Sequence, residues 1–216
     1  MQELVTVTGM VIKTVPIGDY DRRVVILTKE RGKITAFVRG ARKPNSRFVA
    51  ATNLFCFGIF RLYPGKEAYT LSDAEIQNYF EELRNDFEGA YYGMYFLEIA
   101  EYYSRENNDD KELLKLLYQT LRALLVPSLD KRMVRAIYEM KAIVVNGEFP
   151  GIPNREYHES TEYAVDYIVN SSIEKLYTFK LTEECLKELI EISTILRKKC
   201  MDRNFKSFEI LEGFNK

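Results

Sequence analysis

The chain reads as an α+β protein of two domains, a small all-β unit over residues 1–78 and an all-α unit over residues 79–216. Three observations predict this. Up to about residue 77 the apolar residues fall in short β-branched or aromatic runs separated by Gly, Pro and Asp turns. From about residue 80 they recur at helical spacing. The charge divides at the same place. Residues 1–78 carry 12 Lys and Arg against 7 Asp and Glu, a balance of +5, while the remainder carries 19 against 25, or −6, in a chain of net charge −1.

The strands follow in order. Val5, Val7 and Met10-Val11-Ile12 open the series, and Gly18-Asp19 turns it. Val24-Val25-Ile26-Leu27-Thr28 is the second strand; Arg31-Gly32 then leads into a third over residues 33–39. A fourth is expected over residues 54–63 and, after a Pro64-Gly65 turn, a fifth over residues 67–74. Five short strands with close turn signals specify a small barrel or sandwich. Gly58, inside the fourth, marks a bend or bulge of the kind a closing barrel needs.

The helices come next. Residues 87–103 are apolar nearly all round, and residues 85–104 contain no Lys or Arg, as expected of the buried centre of a bundle. Leu113, Leu116, Leu117, Leu121 and Leu124 form a stripe that Pro127 ends. Ser128 or Asp130 caps a third helix with Met133, Ile137, Met140 and Val144 on one face, stopped by Asn146-Gly147. Residues 148–162 read as a loop, and 148–173 as irregular. Thr182, followed by Glu183-Glu184, starts a last long helix through Leu186, Leu189, Ile192 and Leu196.

Composition narrows the functional classes. No apolar run approaches the roughly 18 residues of a membrane span, and MQELVTVTGM lacks the pattern of a signal peptide. Three scattered cysteines, Cys56, Cys185 and Cys200, imply no disulfide framework, which points to a reduced, cytoplasmic protein. An enzyme is not expected. The single histidine, His158, has no neighbouring cysteine, and neither G-x-x-x-x-G-K-[ST] nor G-x-G-x-x-G occurs. Asp109-Asp110 and Glu183-Glu184 read as helix starts, so no metal site and no cofactor are expected.

The informative chemistry is basic. Residues 22–47 hold nine cations and one anion, Glu30. Three of those cations, Arg42, Lys43 and Arg47, lie in the loop Gly40-Ala41-Arg42-Lys43-Pro44-Asn45-Ser46-Arg47-Phe48, at the end of a strand. There they face either solvent or a phosphate backbone. Period-2 alternation on the preceding strand sets Ile34, Ala36 and Val38 on one face and Lys33, Thr35, Phe37 and Arg39 on the other. Phe37 between two cations is the element with which a barrel surface stacks a base; alternatively it packs beneath the helical domain. Arg61 and Lys66 extend the charged track.

These segments resemble the RecO family of bacterial recombination mediators. The likeness runs through Gly9-Met10-Val11-Ile12-Lys13, Gly18-Asp19-Tyr20-Asp21 and Leu27-Thr28-Lys29-Glu30-Arg31-Gly32-Lys33, and is most specific over Gly40-Ala41-Arg42-Lys43-Pro44-Asn45-Ser46-Arg47. It returns weakly in the helical region and at Phe205-Lys206-Ser207-Phe208-Glu209-Ile210-Leu211. The resemblance implies an N-terminal five-stranded OB-fold β-barrel followed by an all-α helical domain. It implies a non-enzymatic repair mediator that binds single- and double-stranded DNA, anneals complementary strands and associates with the nucleoid. With RecR, such a mediator helps load RecA onto DNA coated by single-strand DNA-binding protein.

Many members carry a four-cysteine zinc module after the third long helix. Here residues 147–163 contain no cysteine, so no structural zinc is expected. Nucleic acid is expected on Lys33, Phe37, Arg39, Arg42, Lys43, Arg47, Arg61 and Lys66. The acidic helical half should repel DNA and serve protein partners, with Arg122, Lys131, Arg132 and Arg135 as candidates for an acidic, apolar peptide such as the tail of single-strand DNA-binding protein. Two other readings stay open: an interaction adaptor with little DNA binding of its own, and an OB-fold RNA-binding factor.

Overall fold

The computed structural model describes residues 3–214, and in it the first five strands close into a barrel. Strand β1 (Val5–Ile17) runs antiparallel to β2 (Asp21–Thr28) through its second half and to β4 (Phe57–Tyr63) through its first. β2 pairs with β3 (Gly32–Val38), and β4 pairs with β5 (Tyr69–Asn78). A short parallel register, Ala36 opposite Tyr69 and Phe37 opposite Thr70, joins β3 to β5. The order β1-β2-β3-β5-β4, closed by β1 on β4, makes this an OB-fold barrel.

Irregularities of register bend the strands around the core. The register of β1 against β2 slips between Val11 and Lys13, so Met10, Val11 and Ile12 are all buried in place of a strict alternation. The register of β4 against β5 slips between Phe57 and Gly58, and a Cβ on Gly58 would collide with the carbonyl oxygen of Glu75. Inside, Val7, Val11, Val24, Ile26, Ile34 and Leu62 are at most 1% exposed, each burial worth about 1.5–3 kcal/mol.

Residues 54–56 turn before β4 begins. Phe55 takes a left-handed backbone, φ 73°, with its ring buried. β5 runs past Ala74 to Asn78. A four-residue helix, α1 (Phe48–Ala51), follows the basic loop.

Two compact units divide the chain, one of residues up to 81 together with 100–114, the other of residues 82–99 together with 115–216. In the first, the β2–β3 turn is paired by the segment around Glu106. The amide of Lys33 donates to the Arg105 carbonyl at 3.0 Å, and that of Asn107 donates to the Arg31 carbonyl at 3.0 Å. Gly32 sits between them with φ 61°, where any Cβ would strike the Arg105 carbonyl.

The helices are α2 (Glu81–Asn85), α3 (Phe87–Tyr103), α4 (Lys111–Leu124), α5 (Lys131–Val145), α6 (Glu159–Asn170), α7 (Glu183–Cys200) and α8 (Lys206–Phe214). Asp130 is the cap of α5, accepting the Arg132 amide at 2.8 Å, and Thr182 caps α7 through the Cys185 amide. In the second unit α5 is central, ten of its residues being buried. Tyr138 and Phe96 pack at 4.5 Å between ring centroids, and Tyr95 donates its hydroxyl to the buried Glu139 at 2.6 Å.

The expectation of an irregular stretch over 148–173 needs correction, because residues 159–170 form α6. Its buried residues Thr161, Ala164, Val165 and Ile168 follow helical spacing. The stripe is weak in the sequence because Thr161 is polar; its hydroxyl is satisfied by Glu188 of α7 at 2.6 Å. Residues 150–158 stay irregular.

Candidate nucleic-acid interface

The outer face of β3 obeys its alternation. Ile34, Ala36 and Val38 are buried, whereas Phe37 is 41% exposed and Arg39 is exposed. Directly across the ladder from Phe37 stands Arg23 of β2, also exposed. Cross-strand partners share a face with Cβ atoms about 5 Å apart, so Phe37 has a cation beside it as well as one two residues along its own strand.

The basic loop continues from this face and is tied to the β1–β2 turn. The Gly40 amide donates to Asp21 Oδ1 at 2.7 Å and the Arg42 amide to the Tyr20 carbonyl at 2.7 Å. The Arg42 guanidinium reaches the Gly18 carbonyl at 3.2 Å, and the Lys43 ammonium lies 5.6 Å from the Tyr20 ring centroid. Beneath, one nitrogen of the Arg22 guanidinium donates to the Val49 carbonyl, Thr52 Oγ1 and Asn53 Oδ1, fastening α1 to β2. Burial lowers the pKa of Arg22, and the charge of Arg42 adds to that. Among the described residues, Arg23, Arg39, Arg42 and Lys43 have no carboxylate partner.

The other expected cations lie elsewhere or are engaged. Arg47 donates to the Ser72 carbonyl at 2.6 Å and pairs with Asp73 at 3.1 Å, though its side chain stays 67% exposed. Arg61 meets the other oxygen of Asp73 at 2.7 Å and Glu75 at 3.5 Å, so two acids neutralise it. Lys33 begins the strand that Arg39 follows, roughly 20 Å away at about 3.3 Å per residue. Its ammonium donates to the Glu101 carbonyl at 2.8 Å, and burial lowers its pKa. Lys66 is exposed in the β4–β5 turn and lines a depression of about 420 Å³ with Lys33, Arg105, Glu67, Glu101 and Glu106. There acids balance the bases. Phe37 and Arg39 thus share the outer side of β3, and Arg42 and Lys43 follow on the loop tied to the β1–β2 turn. By contrast, Arg47 and Arg61 meet at Asp73, and Lys33 and Lys66 meet at the depression near Glu101. Arg23 joins Phe37 unanticipated. Its signal was available, since alternation with Val24 and Ile26 inward places Arg23 outward.

The four candidate cations of the helical unit, Arg122, Lys131, Arg132 and Arg135, differ in the same way. Lys131 bridges Asp86 at 2.8 Å and Glu88 at 3.0 Å; burial alone would lower its pKa, but the two acids outweigh it and raise it. Hydrogen bonds to Asp130 and Glu183 raise the pKa of Arg132. Arg135 stacks 5.1 Å from the Phe208 centroid, and Arg197 stacks on the same ring at 4.3 Å. Arg122 is exposed and lines a groove of about 540 Å³ with Val126, Leu129, Phe179 and Lys180. Among the described residues no group of three or more His, Cys, Asp or Glu is placed to hold a metal ion, and no helix is long and apolar enough to cross a membrane.

Comparison with known proteins places these features in context. A family model described as "Recombination protein O N terminal" matches residues 1–80, and one described as "Recombination protein O C terminal" matches residues 84–152. The DNA repair protein RecO of Acetivibrio thermocellus is 26% identical over 242 residues, covering 97% of this chain and 96% of that protein. That of Halalkalibacterium halodurans is 31% identical over 189 residues, 84% of this chain and 74% of the relative. That of Symbiobacterium thermophilum is 34% identical over 149 residues, 69% and 59% respectively.

Proposed function

The chain belongs to the RecO family of DNA repair proteins, and on that footing we propose that it binds single- and double-stranded DNA through the barrel and anneals complementary strands. With RecR it helps load RecA onto DNA coated by single-strand DNA-binding protein. The observation that carries the DNA reading is the set Arg23, Arg39, Arg42 and Lys43, cations without a carboxylate partner on the strand pair that bears the exposed ring of Phe37 and on the loop that follows it. Phosphates take the cations and position the strand, while an unstacked base takes the ring.

The helical unit is the side for protein partners. Of its four candidate cations, Lys131 and Arg132 are already paired with acids and Arg135 lies against a ring. Arg122 and Lys180 line one groove with Val126, Leu129 and Phe179, and the acid in its lining, Glu174, is paired with Lys115 at 2.6 Å, a combination suited to the acidic, apolar tail of single-strand DNA-binding protein.

The test is a salt titration of oligonucleotide affinity on the purified protein alone, repeated with RecR. Four phosphate contacts give a slope of log K against log salt near −3, at about −0.7 per phosphate on a single strand. Replacing Arg39, Arg42 and Lys43 together by Ala is expected to flatten it by about 2 units. An unchanged slope removes this rim from the interface. Binding seen only with RecR present favours the adaptor reading instead, and tighter binding of RNA than of DNA of equal length favours the RNA reading.

A further inference from the structure

We infer that Tyr20, at the tip of the β1–β2 turn, is a second base-stacking residue of the same interface, and that this turn makes the interface discriminate unpaired strands from duplex. The inference rests on the nucleic-acid reading of the barrel.

Tyr20 is 52% exposed, more than any other large apolar side chain among the described residues of the barrel unit. The turn does not need an aromatic residue there. Gly18, with φ 51°, and Asp19 supply the turn chemistry, and the ring adds little to the core. Yet its backbone is held firmly: the Arg42 amide bonds the Tyr20 carbonyl, the Arg42 guanidinium bonds the Gly18 carbonyl, and Asp21 holds the Gly40 amide. An aromatic ring displayed on a fixed mount loses little freedom when a ligand covers it.

Position completes the case. Lys43, one of the cations without a carboxylate partner, lies over the same ring at 5.6 Å. Tyr20 is three residues before Arg23, the cross-strand partner of Phe37, so its backbone lies at most roughly 10 Å from that of Arg23 at about 3.3 Å per residue. Arg23 stands across the ladder from Phe37, and Lys43 lies over Tyr20. Duplex DNA offers the rim its phosphates but keeps its base faces stacked on one another. A single strand offers both, so two ring platforms favour it.

The experiment measures fluorescence anisotropy of a labelled single strand and of a duplex of the same length, each over a salt series. Tyr20→Ala is expected to weaken single-strand binding about five- to a hundredfold, with duplex affinity and both salt slopes unchanged. Tyr20→Phe is expected to keep wild-type affinity, and Tyr20→Leu, which retains bulk without a π face, to behave as Tyr20→Ala even if the Ala variant folds poorly. Equal losses on single strand and duplex with flatter slopes would overturn the inference, since Tyr20 would then only hold Lys43 in place. Wild-type binding by Tyr20→Ala alongside loss of binding by the Arg39, Arg42 and Lys43 triple variant would also overturn it while sparing the DNA reading. Unaltered binding by the triple variant would remove the reading on which it rests.

Discussion

Phe37 illustrates how one residue separates a functional from a structural role. It is 41% exposed, with buried Ala36 and Val38 on either side in sequence, so removing its ring takes little from the core. Phe37→Ala is expected to weaken single-strand binding by about 1–3 kcal/mol while leaving the salt slope intact. Unfolding stability should change by no more than about 0.5 kcal/mol, as for surface substitutions generally. Denaturant unfolding and oligonucleotide titration on one preparation check both parts; a loss of stability with unaltered binding would assign Phe37 to the fold. The outward placement of Phe37 and Arg39 was legible because alternation is a local rule. The fates of Lys33 and Arg61 were not. Each is decided by a partner far along the chain or across a strand pair, the Glu101 carbonyl for one and Asp73 and Glu75 for the other. A charge in a sequence carries no mark of whether an acid will neutralise it.

At the scale of elements, the barrel depends on close approaches that few residue types permit. A methyl group at position 58 meets backbone, which cannot rotate away as a side chain can. Gly58→Ala is therefore expected to destabilise the barrel by about 1–3 kcal/mol, the usual range for overpacking. A chemical-denaturation midpoint equal to the wild type would show that β4 and β5 relax at no cost. Both the bend at Gly58 and the long helices α3, α4, α5 and α7 were legible, since Gly in a strand and apolar residues at helical spacing are local signals. α6 was less legible because its inward face includes a polar residue, Thr161, whose hydroxyl is satisfied by Glu188 on another helix. Likewise, residues 54–56 read as strand by composition, whereas Phe55 turns at positive φ to bury its ring.

Across the whole molecule, sequence order and compact units do not coincide. Residues 100–114 belong with the barrel although helical sequence surrounds them. Local periodicity could not have revealed this, because it records the helices but not the strand-like pairing of Glu106 with Gly32. Cooperative units open together, so native-state hydrogen exchange is expected to place the Asn107 amide with barrel amides such as that of Ile26. Exchange of Asn107 in step with Ile137 of α5 would contradict that assignment.

The pairing of Lys33 and Asn107 with the segment around Arg105 and with Arg31 also imposes an order on biosynthesis. At about 5–20 residues per second, a chain leaving the ribosome has all five strands available once Asn78 emerges. The turn at Gly32 then waits for roughly 30 further residues, several seconds at the slower rate, before its amide and carbonyl groups find their partners. During that interval the nascent barrel is closed in topology but unfinished at one rim, and its last hydrogen bonds form only as the helical half is being made.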